Sequence, residues 1–306
     1  MILRYYPIIA ISQYHNIAIY NAANLQILSI KIKMTEQFIT SKDGIQLYTG
    51  EWGIPNPKAV ICLIHGFGEH INRYHHVADF YNKNGFAVVG MDTRGHGKSE
   101  GKRGHTPQYE TYMDDIEGFI NDVKARYRNI PMFLYGHSMG GNLVLNFLLK
   151  RQPTLAGVIV TGPWIKLAFE PKRFMITLGK IMRSIYPTLT QSSGLVASSI
   201  SSDPSVVEAY VNDPLVHSSI TASTGVGITE AAAWLNEYSG DVPLPLLIMH
   251  GTVDKLTSQA ASEAFFKRVK GDVKYKKWEG MYHEIHNEPN KMEVFNYTLG
   301  WLDSKI

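Results

Sequence analysis

The chain has 306 residues, 44% of them hydrophobic and 19% charged, with 26 glycines and 14 prolines. That balance belongs to a folded globular protein and excludes wholesale disorder, collagen and coiled coil. Thirty basic residues against 27 acidic ones leave a net charge of +3, with no Lys/Arg run that would mark a nucleic-acid footprint.

Residues 1–34 read as an N-terminal extension, a disordered leader or an over-long start, with Met34 opening the domain. A secretory signal does not fit, because the apolar stretch from Ile8 is broken by Ser12, Gln13, His15 and Asn16. Segments 36–40 and 45–52 flank the turn Lys42-Asp43-Gly44 and predict a hairpin. Ala59 to Ile64 is a continuous apolar run, as expected of a strand covered on both faces. A helix over 73–84 and a strand over 86–91 follow, then a helix over 107–127 with Thr106 as its N-cap. A strand over 132–135, a helix over 142–150 and a strand over 155–161 continue the alternation. It stops between 163 and 240, where an aromatic-rich helical stretch, a Ser-rich stretch and a helix near 229–238 intervene. It resumes with a strand at 244–249, a helix at 257–269, a strand at 273–278 and a helix at 290–303.

This pattern predicts an α/β fold with a mostly parallel central sheet flanked by helices. The core spans 35–162 and 241–306, and a helical cap, or lid, is inserted at 163–240. No apolar run approaches the roughly 18 residues of a membrane-crossing helix. The single cysteine, Cys62, excludes an intrachain disulfide and fits a reducing, cytoplasmic setting.

The strongest chemical motif is Gly136-His137-Ser138-Met139-Gly140, lying between a predicted strand and a predicted helix. Glycines at both ends permit a sharp turn that lifts the Ser138 hydroxyl out of the sheet. A serine hydroxyl is a weak nucleophile and needs a base that is itself held by an acid. Asp254 follows the strand at 244–249 in His250-Gly251-Thr252-Val253-Asp254, where strand-end loops collect catalytic groups. It also precedes a helix that it could cap. Asp272 and Glu279 sit less well for the acid, and His250 reads as structural. Both His283 and His286 lie in the loop after the strand at 273–278, and spacing alone does not choose between them as the base. For a developing oxyanion, the N–H of Met139 and that of Phe67, in His65-Gly66-Phe67-Gly68, are the candidate donors. The turn from Asp92 to Gly97 reads as structural, with its charged pair pinning the loop, and His96 is not assigned to catalysis.

Six ordered blocks, HGFGEHINRY (65–74), MDTRGHGKSEGKRGH (91–105), GHSMGG (136–141), NDPLVH (212–217), HGTVDKLTS (250–258) and YHEIHNEP (282–289), carry a closer likeness. Together they resemble the monoacylglycerol lipase and lysophospholipase branch of the α/β-hydrolases, over about residues 35–304. The resemblance implies an α/β-hydrolase fold, ester cleavage through an acyl-enzyme, and His283 as the base. It places Glu69, Arg73 and His286 at the glycerol end of a monoacylglycerol. A lipid ester substrate and transient membrane-surface contact through the cap are implied, with no metal or organic cofactor, no nucleic acid and no obligate protein partner. Lysophospholipase, general carboxylesterase, acyltransferase, aminopeptidase and non-catalytic receptor are the alternatives. The cap matches by character rather than by residues.

Overall fold

The computed structural model describes residues 34–170 and 173–306, so the expected extension over 1–34 lies outside the described residues except for Met34. Eight strands form the central sheet: β1 (Thr35–Thr40), β2 (Gln46–Trp52), β3 (Ala59–Ile64), β4 (Phe86–Met91), β5 (Met132–His137), β6 (Gly157–Thr161), β9 (Leu246–Gly251) and β10 (Val273–Trp278). Their spatial order is β1-β2-β4-β3-β5-β6-β9-β10. The β1–β2 and β2–β4 pairs are antiparallel, and all later pairs are parallel.

Alternation along each buried strand divides its side chains between two cores. In β3, Val60, Cys62 and Ile64 face one side, while Ala59, Ile61 and Leu63 face the other. The first side is covered by α2 (Tyr109–Arg126), α3 (Met139–Arg151), α6 (Ala222–Glu237) and α7 (Gln259–Arg268), through residues such as Ile116, Leu145, Ile228 and Phe265. The second is covered by α1 (His75–Lys83) and α8 (Lys291–Asp303), through Val77, Tyr81, Phe295 and Trp301. Because both faces are sealed, every residue of β3, β4, β5 and β9 is buried, whereas the edge strands β1 and β10 alternate toward solvent. Burial also pushes the Cys62 thiol up to about 12.

Between β6 and β9 lie α4 (Arg173–Ile185), the two-stranded β7–β8 pair (Thr190–Ser192, Ser219–Thr221), α5 (Pro204–Asn212) and α6. Asp203 caps α5 by accepting from Ser205 N at 2.9 Å, and Pro204 fills its first position. The α6 helix packs into the main core through Ile228 and Leu235. It therefore serves as the crossover helix between two parallel strands, although the sequence reading counts it with the cap. The α2 N-cap is Gln108 rather than Thr106, whose hydroxyl donates to the Gln108 carbonyl. Among the described residues, no helix is long and apolar enough to cross a membrane.

Candidate active site

Ser138 stands between the last residue of β5 and the first of α3, with φ 55° and ψ −114°. A side chain at positive φ is strained and persists only where its surroundings over-determine it. Here Ser138 N donates to Thr161 O at 2.9 Å, while Ser138 O accepts from Asn142 N and Trp164 N, each at 3.0 Å. The flanking glycines are sterically required. A Cβ on Gly136 would strike the Gly140 carbonyl, and one on Gly140 would strike the carbonyls of Ile64 and His65. The β5–α3 turn can thus sit hard against the end of β3, with the first free N–H groups of α3 beside the serine.

The two oxygens of Asp254 have separate tasks. Its Oδ1 accepts from Leu256 N (2.8 Å) and Thr257 N (3.0 Å), which ties down the loop that leads into α7. Its Oδ2 accepts from His283 Nδ1 at 2.7 Å, His250 Nε2 at 3.0 Å and Thr257 Oγ1 at 2.9 Å. Ser258, not Asp254, is the N-cap of α7. Burial alone would raise the Asp254 pKa, but His283 and His250 outweigh it and hold the carboxyl well below its ordinary range. Burial likewise opposes charge on His283, yet the charge and hydrogen bond of Asp254 lift the imidazole above its ordinary value. With Nδ1–H committed to Asp254, Nε2 is the ring nitrogen left to act as a base. The His283 ring packs at 4.7 Å from His137, the neighbour of Ser138, and against Gly162, whose φ is +50°. The hydrogen bonds found from His283 run to Asp254 and Thr257 and stop short of the Ser138 hydroxyl. Such contacts are commonly long in free enzymes and tighten around substrate.

The loop after β3 is held from below. Glu69 accepts from Gly66 N and from Tyr74 Oη, both at 2.7 Å, and pairs with Arg73. Arg73 also forks onto Glu284 at 2.7 and 2.8 Å, and Glu284 accepts from Asn287 Nδ2 at 2.7 Å. Despite its burial, Glu284 is held below the carboxylate range by the Arg73 cation. Glu69 is pushed up by burial and by the Glu284 charge. Although Glu69, His137 and Glu284 bring ligand-type atoms within 4.8 Å, Arg73 already supplies the cation between the two carboxylates. A Cβ built on Gly66 would lie 3.2 Å from Ser138 Cβ, so the loop that carries Phe67 runs close to the serine, and Met139 follows the serine directly in the chain. The Phe67 ring is edge-on to His96 (5.3 Å) and His217 (5.7 Å), and His217 N donates to Gly68 O at 2.9 Å.

His286 is buried, stacked on Tyr74 at 4.8 Å and edge-on to His137 at 4.8 Å, and neither ring nitrogen has a partner among the described residues. Burial lowers its pKa to about 3, so the ring is neutral. The other acids considered for the site lie elsewhere. Asp272 pairs with Lys305 near the surface, and Glu279 accepts from Thr252. The expected charged pair of the 92–97 turn does not form. Arg94 instead pairs with Asp115 and Asp43, and Asp92 accepts from the backbone of Ile71 and Lys98. Sequence reasoning missed Glu284, Thr257 and the His70–Asp213 pair at 2.9 Å, although Glu284 stands one residue from the chosen His283 and Thr257 three residues from the chosen Asp254.

A mostly parallel eight-stranded sheet, a strained serine at a strand-to-helix turn and a carboxylate–imidazole couple on the following strand ends define an α/β-hydrolase. The profile of the family described as serine aminopeptidase, S33 matches residues 55–290. The chain belongs to that family, within the monoacylglycerol lipase branch of the superfamily, and is a hydrolase of the esterase and lipase kind. A monoacylglycerol lipase of Mycolicibacterium smegmatis is 30% identical over 275 residues, covering 89% of this chain and 98% of that protein. An uncharacterized abhydrolase domain-containing protein of Dictyostelium discoideum is 37% identical over 253 residues, and the chain spans only 27% of its length. The crystal structure of Paleococcus ferrophilus monoacylglycerol lipase superimposes with a TM-score of 0.79 at 32% identity, covering 85% of this chain and 99% of that one.

Proposed function

We propose that this hydrolase cleaves monoacylglycerol to glycerol and fatty acid through an acyl-enzyme on Ser138. The observation that carries the reading is the Asp254–His283 couple set beside a serine held at positive φ. Ser138 Oγ attacks the ester carbonyl while His283 Nε2 takes its proton. Asp254 orients the ring and stabilises the imidazolium, and the N–H groups of Phe67 and Met139 hold the oxyanion. His283 then protonates the departing alcohol oxygen. It next takes a proton from water, whose attack releases the fatty acid and regenerates the serine.

Two observations support the substrate class. A cavity of about 180 Å³ under α4 is lined by Trp164, Leu167, Phe169, Ile176, Ile220 and Val226, suiting an acyl chain. His286 offers two buried ring nitrogens without partners among the described residues, which suits the hydroxyls of glycerol. Glu69 and Arg73 serve the glycerol end through the loop they hold, since each is already engaged by the other. The same engagement weighs against an aminopeptidase, which needs a carboxylate for the substrate's amine; Glu69 and Glu284 are both committed to Arg73.

The test is hydrolysis of monoacylglycerols from octanoyl to stearoyl beside matched lysophospholipids and p-nitrophenyl esters. A preference for monoacylglycerols is expected. Cleavage of activated esters alone would leave a general esterase, and a lysophospholipid preference would move the substrate class.

The cap adds a lipid-facing surface to this reading. Phe174, Leu178, Ile181 and Ile185 recur at helical spacing on α4 and are all exposed, an arrangement suited to transient contact with a lipid surface. Ile181→Glu combined with Ile185→Glu is expected to lower hydrolysis of emulsified monooleoylglycerol several-fold while sparing soluble p-nitrophenyl butyrate. Equal rates on the emulsion would remove the cap from any docking role.

A further inference from the structure

We infer that His250 is a positioning residue that shares the Asp254 carboxylate with His283 and thereby sets how strongly Asp254 attracts the proton of the catalytic base. The inference rests on the Ser138–His283–Asp254 reading and extends it by one histidine.

His250 is the fifth residue of β9, and both it and Asp254 have fully buried side chains. Its ring is fixed at both nitrogens. Nε2 faces two acceptors, Asp254 Oδ2 at 3.0 Å and the Thr257 carbonyl at 3.2 Å, so this nitrogen carries a hydrogen. Nδ1 lies 2.9 Å from the hydroxyl of Ser262 on α7, which is buried as well. A histidine that only filled space at a strand end would not need this orientation at both edges of its ring.

The consequence follows from the oxygen it shares. Asp254 Oδ2 accepts from His283 Nδ1 and from His250 Nε2 together. Thr257 Oγ1 lies within reach of the same oxygen, but it also lies 3.0 Å from the Gly162 carbonyl oxygen, and its one proton is shared between the two. His250 is therefore the second fixed donor. Each N–H donated to a carboxylate draws off part of its negative charge, which makes it less basic and a weaker magnet for a neighbouring proton. Without the His250 donor, Asp254 would attract the imidazolium of His283 more strongly. The base would then stay protonated to higher pH, where it cannot accept the Ser138 proton. The other titratable groups facing this assembly are His137 from β5, Glu284 and His286 from the loop after β10, and Glu69 from the loop after β3. None of them touches His250, so a change there leaves them in place.

His250→Gln and His250→Met form the test pair. They are equal in length, and only glutamine presents an N–H where Nε2 stands. The readout is the pH profile of kcat/KM for p-nitrophenyl butyrate, whose acid limb reports the free enzyme's base. In His250→Met the midpoint of that limb is expected to rise by about half a pH unit or more, giving at least a roughly threefold loss on the acid side. His250→Gln should keep the wild-type midpoint. An unmoved limb in His250→Met, or equal shifts in both variants, overturns the inference. A second measurement needs only wild-type protein and the glutamine variant. The Nε2–H proton resonance of His250, assigned by its disappearance in His250→Gln, should shift with pH at the same midpoint as the kinetic limb. A resonance indifferent to that titration also overturns it. Labelling by a fluorophosphonate separates the two readings. A wild type that is neither labelled nor limbed defeats the triad itself, whereas a labelled wild type with an unmoved limb in His250→Met defeats the His250 inference alone.

Discussion

Ser138→Ala is expected to abolish fluorophosphonate labelling and to lower ester kcat/KM by roughly 10⁴- to 10⁶-fold, leaving the residual rate that oxyanion donors and binding supply alone. The substitution is clean because the serine's backbone, not its hydroxyl, makes the structural contacts to Thr161, Asn142 and Trp164. Folding should therefore survive, and an unchanged thermal unfolding curve is the control. A full rate in Ser138→Ala would move the chemistry to another group. Asp254→Asn is a poorer probe. Every partner of that carboxylate is a donor: two backbone amides on Oδ1, and two imidazoles and a hydroxyl on Oδ2. An amide would have to turn its NH₂ toward one of those sets, so lost activity would be mixed with lost stability.

The second large effect is structural. Arg73→Met should destabilise the fold by about 3–5 kcal/mol, because it leaves Glu69 and Glu284 buried without a cation. Differential scanning should show a Tm lower by roughly 6–15 °C at neutral pH. The sign of the pH dependence is fixed by Glu284. Its folded pKa is depressed, so the stability it contributes is present above the unfolded carboxylate value, about 4.3, and is lost as pH falls through the lower folded value. In the methionine variant both carboxyls are pushed upward by burial, so its deficit is largest at neutral pH and shrinks toward pH 4. Arg73→Met with Glu284→Gln should recover part of the loss. A Tm within about 2 °C of wild type would mean that water or a rearranged loop replaces the guanidinium. Activity should fall as well, since Glu69 anchors the Gly66 amide beside Ser138.

What the sequence disclosed depended on whether a residue's surroundings were local. Strands β3, β4 and β5 were legible because sealing both faces of a parallel sheet writes an unbroken apolar run. The bounds of β4 and β10 agree with the expected 86–91 and 273–278. The α3 helix begins at Met139, three residues before the expected start, because the turn at Ser138 needs no connecting loop and glycines 140 and 141 hide the helix from propensity. In the insertion, the nine-residue α5 was not foreseen, because its start falls at the end of a Ser-rich stretch, although Asp203 caps it and Pro204 fills its first position. Ser138, Asp254 and His283 could be singled out because each lies directly after, or a few residues past, the end of a strand. The Arg73–Glu284 fork could not, since it joins residues 211 positions apart and Glu284 hides between two more conspicuous histidines. Arg94 misled for the opposite reason. Asp92 is its neighbour in sequence, but Asp115, across a buried gap, is its partner in space.

Cys62 lies in the middle of β3 with its side chain fully buried, and it is the chain's only sulfhydryl. A thiol so enclosed, with its proton held to about pH 12, offers almost no thiolate to an alkylating reagent. The folded protein is therefore expected to be silent toward maleimides and iodoacetamide. One cysteine introduced on the outer face of α4 could then carry a fluorophore or spin label as the sole reactive sulfur, with no need to remove the native one.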